Sequence, residues 1–277
     1  FIFFLVLLNY LQAFLKIFKC NWYLNKLMSQ NYNPLVAIFL TFSIFFFVPL
    51  IMYALLGFLL GIDSAMWQGS GLSPLKTWLT QNPTEIEVFG TKSMTYPIQD
   101  NLMYFLGVPL QAWLVIWLLR RKHINFQTEL SLQWVKKNIF FASLGLWLIF
   151  YLISFVYGIL LDIAPPEEFI QYMKATPIWL LTLVVVIGAP IIEELLFRGF
   201  LFSQLKNTRL GLTGTIIFTS IFWASLHGQY EILILVALFF FGILLGYLRH
   251  KYNSLLLVIA IHAIHNFVAT VYSYYFY

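Results

Sequence analysis

The sequence predicts an all-α membrane protein, a polytopic bundle of about eight transmembrane helices. Of its 277 residues, 61% are hydrophobic and only 10% are charged, whereas about 25% of residues are charged in a typical soluble domain. Apolar runs near the ~20 residues that cross a bilayer recur along the whole chain. Basic residues gather between alternate pairs of these runs. Together, these three observations exclude a soluble globular fold.

Eight apolar stretches are candidate spans, at roughly 1–18, 35–61, 101–119, 138–161, 177–197, 212–228, 231–248 and 254–272. The first lacks a basic start and a small-residue cleavage site, so we predict a span and not a signal peptide. The sequence divides into N-terminal transmembrane helices, 1–161, and a four-helix core, 177–272. Nearly all the ionisable residues inside spans belong to the core, so we expect the chemistry there.

The distribution of charge predicts the orientation. With the N-terminus outside, the inner loops hold thirteen of the sixteen basic residues: Lys16, Lys19, Lys26, Arg120, Arg121, Lys122, Lys136, Lys137, Arg198, Lys206, Arg209, Arg249 and Lys251. This excess follows the positive-inside rule, which places both termini outside and the basic loops inside. The +5 net charge therefore predicts a lipid bilayer as partner and no nucleic acid. The single cysteine, Cys20, excludes a disulfide within the chain.

Two loops are long enough for the sequence to predict their structure. Residues 62–100 contain several glycines and prolines and little periodicity, which predicts an irregular outside loop. Residues 123–137 alternate apolar side chains with polar ones and end on two lysines. That pattern is typical of an amphipathic segment lying on the inner membrane surface.

The fifth stretch carries charges that a membrane helix does not need. Glu193, Glu194 and Arg198 follow 16 almost wholly apolar residues, 177–192. Ionisable groups inside a bilayer cost from about 3 to above 10 kcal/mol, so they indicate a function. Glu194 and Arg198 are four residues apart and are predicted to pair on one helix face. Glu193 is turned about 100° away, so we expect it to act as a general base.

Three further polar side chains lie in apolar stretches of the same half: His227, His262 and Asn266. A glutamate with a histidine can polarise a water, and a histidine with an asparagine amide can donate to a developing oxyanion. We therefore predict that these three residues and Glu193 form one site that hydrolyses an amide bond. His265 lies near the face of His262; such a histidine is more often a packing residue, and we keep it as an accessory candidate.

At these residues the chain resembles the CaaX-protease and bacteriocin-processing family (CPBP, also called Abi) of intramembrane endopeptidases. Its members are relatives of the protease that trims prenylated CaaX proteins. The resemblance covers residues 177–272 and three motifs, each on its own predicted span. These are EExxxR at Glu193, Glu194 and Arg198, FxxxH at Trp223 to His227, and HxxxN at His262 and Asn266.

In the second motif, Trp223 stands where the family has phenylalanine. Because this is an exchange of one aromatic ring for another beside the site, we expect it to affect substrate fit more than catalysis. Trp223 is the second accessory candidate.

The resemblance implies an intramembrane endopeptidase that acts on a membrane-associated peptide or protein, including a lipidated, CaaX-like one. It implies that Glu193 and His227 activate water, that His262 and Asn266 stabilise the oxyanion, and that Glu194 and Arg198 brace the helix. It also predicts a multi-pass protein of a bacterial cytoplasmic membrane.

Several alternatives stay open at this point. We predict no metal and no other cofactor, but Glu193, His227 and His262 are also a ligand set for Zn²⁺ with an open position. A non-catalytic immunity factor or scaffold of the same family would use the polar residues as bonds between helices. A transporter with carboxylate proton relays is the third alternative.

Overall fold

The part of the chain that the structure describes folds into long helices and one pair of short antiparallel strands. The computed structural model describes residues 32–61, 84–88 and 91–277. In chain order the elements are α1 (Pro34–Gly61), β1 (Thr84–Val88), β2 (Thr91–Thr95), α2 (Pro97–Arg121), α3 (Phe126–Leu130), α4 (Lys137–Leu160), α5 (Glu167–Ala175), α6 (Ile178–Leu205), α7 (Gly211–Ser225), α8 (Ile232–Tyr252) and α9 (Leu255–Phe276).

Six of the described helices are long and apolar enough to cross a membrane: α1, α2, α4, α6, α8 and α9. Helix α7 is also apolar, but its 15 residues rise only about 22 Å. Seven of the eight predicted spans therefore correspond to a helix, while 1–18 lies outside the described residues. The fold class, a polytopic bundle of membrane-spanning helices, is confirmed.

The loop predicted to lie outside contains regular structure that the sequence did not predict. Strands β1 and β2 pair antiparallel, with Thr84 opposite Thr95 and Val88 opposite Thr91, and β1 packs beside α5. The expectation of an irregular segment was therefore wrong for Thr84–Val88 and Thr91–Thr95, because these short strands are too small to give a clear period. Residues 62–83 of that loop lie outside the described residues.

Helix α6 lies at the centre of the bundle. Its most apolar 18-residue window is 67% buried, against 11% for that of α4. Helices α1, α2, α7, α8 and α9 all pack against it. Because these neighbours cover α6, its charged side chains are removed from the lipid-facing surface.

The predicted amphipathic segment between α2 and α4 forms only one short helix, α3. Asn125 caps it, since its side-chain oxygen accepts from the N–H groups of Gln127 and Thr128. Leu130 is fully buried, and Ser131, in a left-handed conformation, ends the helix. The Ser131 carbonyl accepts from the N–H of Leu255 at 3.1 Å. The segment is thus attached to the start of α9.

Candidate active site

Helix α6 changes its hydrogen-bond register around the two glutamates. Two π-helical segments, Thr182–Gly188 and Leu195–Leu201, flank the α-helical turn Ala189–Glu194. In a π-helix each N–H reaches the carbonyl five residues back, and such segments occur frequently at functional sites. Where the register returns to four residues, a carbonyl loses its partner in the helix and needs another one.

Asn266 satisfies such a carbonyl at the end of the first π segment. The N–H of Ala189 bonds to Val184, five residues back. The next residue, Pro190, has no N–H to offer. The side-chain amide of Asn266 donates to the carbonyl oxygen of Val185 at 2.8 Å. One of the two amide hydrogens of Asn266 is therefore committed to α6, and the other is available.

Arg249 plays the same role at the end of the second π segment. The N–H of Phe202 bonds to the carbonyl of Phe197, and Arg249 Nε donates to the following carbonyl, that of Arg198, at 3.0 Å. Arg249 is only 2% exposed. Its two Nη atoms donate to Asn253 Oδ1, Ser131 Oγ and the Glu129 carbonyl at 2.8, 3.2 and 3.3 Å. Arg249 thereby connects α6, α8 and the α3 segment.

Glu194 forms a buried ionic cluster. Its Oε1 lies 3.0 Å from Arg198 Nη1 and 2.8 Å from His262 Nδ1. Glu194 and Arg198 have no exposed surface, and His262 is 2% exposed. Arg198 Nη2 also donates to the carbonyl of Gly242 at 3.3 Å. The predicted Glu194–Arg198 pair is present, and it binds His262 as a third member.

The hydrogen bond to Glu194 determines which ring nitrogen of His262 carries a hydrogen. A carboxylate only accepts hydrogen bonds, so His262 Nδ1 carries a hydrogen and donates it to Glu194. The other ring nitrogen, Nε2, lies 4.0 Å from Glu193 Oε2. His262 therefore stands between the two glutamates, with Nε2 directed to the side of Glu193.

Glu193 has different partners from its neighbour, as the helix geometry predicts. It is 6% exposed, and its Oε2 accepts from Trp223 Nε1 at 2.6 Å. Among the described residues no other hydrogen bond to this carboxylate is recorded, so Oε1 is available. The hydrogen-bond partner of Glu193 is thus the indole N–H of Trp223.

His227 lies just beyond the end of α7. Its Nδ1 is 3.0 Å from the carbonyl oxygen of Trp223, so Nδ1 is the protonated nitrogen and Nε2 has a free lone pair. The His227 ring meets the edge of the Trp223 ring at 4.9 Å and stacks on Tyr230 at 6.4 Å. Burial raises the pKa of Tyr230, and so does the nearby charge of Glu193. The Tyr230 hydroxyl therefore stays protonated.

His265 lies on another side of α9. It accepts from Trp147 Nε1 at 3.3 Å, stacks on Phe241 at 4.1 Å and contacts Phe150. Such contacts with aromatic rings are typical of a histidine that contributes to packing. The structure thus brings Glu193, Glu194, Arg198, Trp223 and His262 into direct contact. His227 packs edge-to-face against the Trp223 ring, and Asn266 follows His262 by four residues, about one helical turn.

The zinc alternative requires three ligand atoms about one metal. Ligands at about 2.0–2.2 Å from Zn²⁺ would surround a common point. Over the stretches of chain that the structure describes, no three His, Cys, Asp or Glu side chains are arranged in this way. A zinc site would need Glu193, His227 and His262 to move until one atom of each lies within this distance of a common point.

Sequence reasoning missed two members of this region, Arg249 and Gly242, and the hydrogen bond made by a third, Trp223. The indole N–H of Trp223 could have been noticed as a donor beside a carboxylate, because tryptophan differs from phenylalanine by that group. Arg249 contributed only to the prediction of topology. Gly242 gave a weaker signal, a glycine inside an apolar span, where a close approach of helices is common.

The fold and this cluster define a class: a multi-pass helical membrane protein with carboxylates and histidines buried in its core. Residues 175–268 match the model of the family described as Rce1-like, type II CAAX prenyl endopeptidase. The resemblance seen in the sequence is confirmed, and it supports a CAAX-type intramembrane protease at the level of the family. No curated protein and no solved structure matches the chain.

Proposed function

We propose that this protein is an intramembrane endopeptidase that cleaves a peptide bond of a membrane-associated substrate. The observation that carries the proposal is the difference between the partners of the two glutamates. Glu194 is neutralised by Arg198 at 3.0 Å, whereas Glu193 is buried with one oxygen available. A buried carboxylate without a cation of its own is suited to take a proton from water.

On the base side, Glu193 and His227 act together. Glu193 Oε1 and His227 Nε2 are both acceptors, and one water can donate a hydrogen bond to each. As the water oxygen attacks the peptide carbonyl carbon, its proton passes to Glu193. The proton then moves to the leaving amine when the C–N bond breaks, so the carboxylate is restored.

On the oxyanion side, His262 and Asn266 are the donors. A protonated His262 donates from both nitrogens, from Nδ1 to Glu194 and from Nε2 to the developing oxyanion. The second amide hydrogen of Asn266 is a further donor. Donors that are fixed before the reaction stabilise the transition state without a reorganisation cost. The brace of Glu194 and Arg198 keeps His262 in place.

The family match supports a prenylated CaaX protein as the substrate class. Such a substrate would place its lipid in the bilayer and its C-terminal peptide at the site. We also propose the orientation that the charges predict, with both termini outside in a bacterial cytoplasmic membrane. The chain would divide into an N-terminal helical region, 1–161, and a catalytic core, 177–272.

The test is Glu193→Gln, which keeps shape and burial and removes the base. We expect a loss of hydrolysis by about 10²- to 10⁴-fold, with an unchanged unfolding midpoint. Glu231→Gln is the matched control, because Glu231 is exposed and lies at the start of α8. The readouts are cleavage of a quenched fluorescent peptide ending in a farnesylated CaaX sequence, and the membrane peptides of cells with each variant. Wild-type cleavage by Glu193→Gln would contradict the proposal.

Metal dependence is tested on the purified wild-type protein. Dialysis against a chelator should leave hydrolysis unchanged, because the proposed base is a carboxylate. A loss that Zn²⁺ restores and Mg²⁺ does not would replace the metal-free route with the zinc route through Glu193, His227 and His262.

A non-catalytic immunity factor or scaffold is the second candidate. It is favoured by one observation: Asn266 is bonded to the Val185 carbonyl, as a residue that only joins helices would be. This candidate predicts that the cellular phenotype survives the double change of Glu193→Ala and His227→Ala. The protease predicts that the double change abolishes it while the protein remains in the membrane.

A further inference from the structure

The indole of Trp223 contacts four polar side chains of the site: Glu193, Arg198, His227 and His262. Besides its hydrogen bond to Glu193, the Trp223 ring lies 4.8 Å from the guanidinium of Arg198. Its centroid is 5.4 Å from that of His262 and 4.9 Å from that of His227, both edge-to-face. Trp223 is 1% exposed. The ring therefore contacts side chains to which both halves of the reaction are assigned.

The hydrogen bond from Trp223 to Glu193 is of the strong kind. The donor is neutral and the acceptor is a carboxylate, and charge-assisted bonds are about twice as strong as neutral ones. The 2.6 Å distance is short for N–H···O. The next nearest recorded donor to the same oxygen is His262 Nε2 at 4.0 Å. Within the described residues, the indole is thus the group that sets the orientation of this carboxylate.

We propose that Trp223 is a positioning residue for the reaction assigned to Glu193. Its N–H holds Oε2, so that Oε1 faces the attacking water and the side chain cannot rotate. This inference rests on the proposed function, since it concerns the same carboxylate. Phenylalanine, which the resembled motif has at this position, offers a ring but no N–H. The tryptophan in place of phenylalanine therefore adds a hydrogen bond to the proposed base, Glu193, and does not act on the fit of the substrate alone.

The two roles for Trp223 predict different kinetics. A residue that only shapes the substrate site would change KM when it is replaced. A residue that orients the base would change kcat, because substrate binding does not need the base. Misplacement of a reacting group by about 1 Å costs up to ~100-fold in rate.

The experiment compares Trp223→Phe with wild type in lipid nanodiscs, with the farnesylated CaaX peptide as probe. We expect kcat to fall by about 10- to 100-fold with little change in KM. Trp147→Phe is the matched control, because Trp147 is 6% exposed and donates its N–H to His265 outside the site. The control should keep the wild-type kcat.

A spectroscopic readout tests the bond without any substrate. The ultraviolet resonance Raman band of the indole N–H is assigned to Trp223 by subtracting the spectrum of Trp223→Phe from that of wild type. We expect this band to show a strong bond in wild type and a weaker one in Glu193→Gln, whose amide oxygen is a neutral acceptor. An identical Trp223 band in both proteins would overturn the proposal.

The outcomes separate this inference from the function on which it rests. If Glu193→Gln still cleaves the peptide, the protease assignment fails, while the Raman band still reports the bond. If Glu193→Gln is inactive but Trp223→Phe keeps the wild-type kcat, the positioning role alone is overturned. Should Trp223→Phe misfold, benzothienylalanine at position 223, which keeps the shape and replaces N–H by sulfur, takes its place. Full kcat with that analogue would also overturn the proposal.

Discussion

Helices α6 and α4 are both long, apolar and able to cross a membrane, yet they occupy opposite environments. Helix α6 is 67% buried over its most apolar window, and α4 is 11% buried. Charged side chains lie in the middle of α6, whereas those of α4 are confined to its start. Hydropathy therefore identifies a membrane span, but it does not show whether the span faces lipid or protein. Charged residues within the span indicate that it faces protein.

The physical reason is the cost of desolvating an ion. A carboxylate or guanidinium inside a bilayer needs partners, and α6 obtains them from α7, α8 and α9. Helix α4 has no such requirement, so its apolar surface can remain open to lipid, as Ile153 and Ile159 do at 65% exposure each. Substitutions in the two helices should therefore differ in effect, and the following changes test that comparison in order of expected size.

The largest effect is expected for Arg198→Met. The change leaves the buried Glu194 without a cation, and breaking a buried pair costs about 3–5 kcal/mol. The free energy of unfolding in mixed micelles is the measurement. The double change of Glu194→Gln and Arg198→Met should recover much of this loss, because it removes the uncompensated charge. A double variant as unstable as the single one would show that the pair is not the cause.

Arg249→Met should come next, with a loss of about 3 kcal/mol, since a charged donor of several hydrogen bonds is removed. Lys251→Met is the matched control: Lys251 is a cation at the same end of α8, but it is exposed and bonds only to Tyr247 in the hydrogen bonds described. Its loss should be close to zero. Equal losses for the two variants would mean that helix-end charge, and not the capped carbonyl of Arg198, is what matters.

A pair of glycines compares the two regions directly. A Cβ on Gly242 would lie 2.9 Å from Ser220 Cβ and 3.0 Å from Arg198 Nη2, whereas one on Gly158 of α4 would meet nothing within 4 Å. Gly242→Ala should therefore cost about 2 kcal/mol through overpacking. Gly158→Ala should be neutral or stabilise by up to ~1 kcal/mol. Thermal unfolding of both variants provides the measurement, and the same sign for both would contradict the comparison.

The smallest effect is expected for Ile153→Ala on α4. The side chain is 65% exposed, so it contributes little packing within the chain, and the stability should change by no more than about 0.5 kcal/mol. A loss above that range in nanodiscs would indicate that this face is covered by protein and not by lipid.

The sequence predicted the spans well because their signal is local: a run of apolar residues needs no knowledge of its neighbours. It also predicted the Glu194–Arg198 pair, which follows from a spacing of four on one helix. It did not predict that His262 joins this pair, or that Trp223 bonds to Glu193. Those contacts depend on how separate helices rotate against each other, which no single-helix pattern records.

The register of α6 was equally out of reach. Although α6 contains Pro190, the helix continues through π turns on both sides of Ala189–Glu194. Whether a proline kinks a helix or is absorbed depends on other groups that satisfy the freed carbonyls. Here Asn266 of α9, which comes 76 positions after Pro190 in the chain, satisfies one of these carbonyls.

The π segments of α6 determine the direction in which the glutamates point around the helix axis. A π segment accommodates one residue more than an α-helix would over the same turn, and one residue of α-helix corresponds to about 100°. If Thr182–Gly188 became α-helical with all its residues kept, Glu193 would therefore turn by about 100° and away from α7. Deletion of one residue from this stretch would instead be absorbed by the loss of the π turns, so the chain could lose that residue without re-aiming the glutamates.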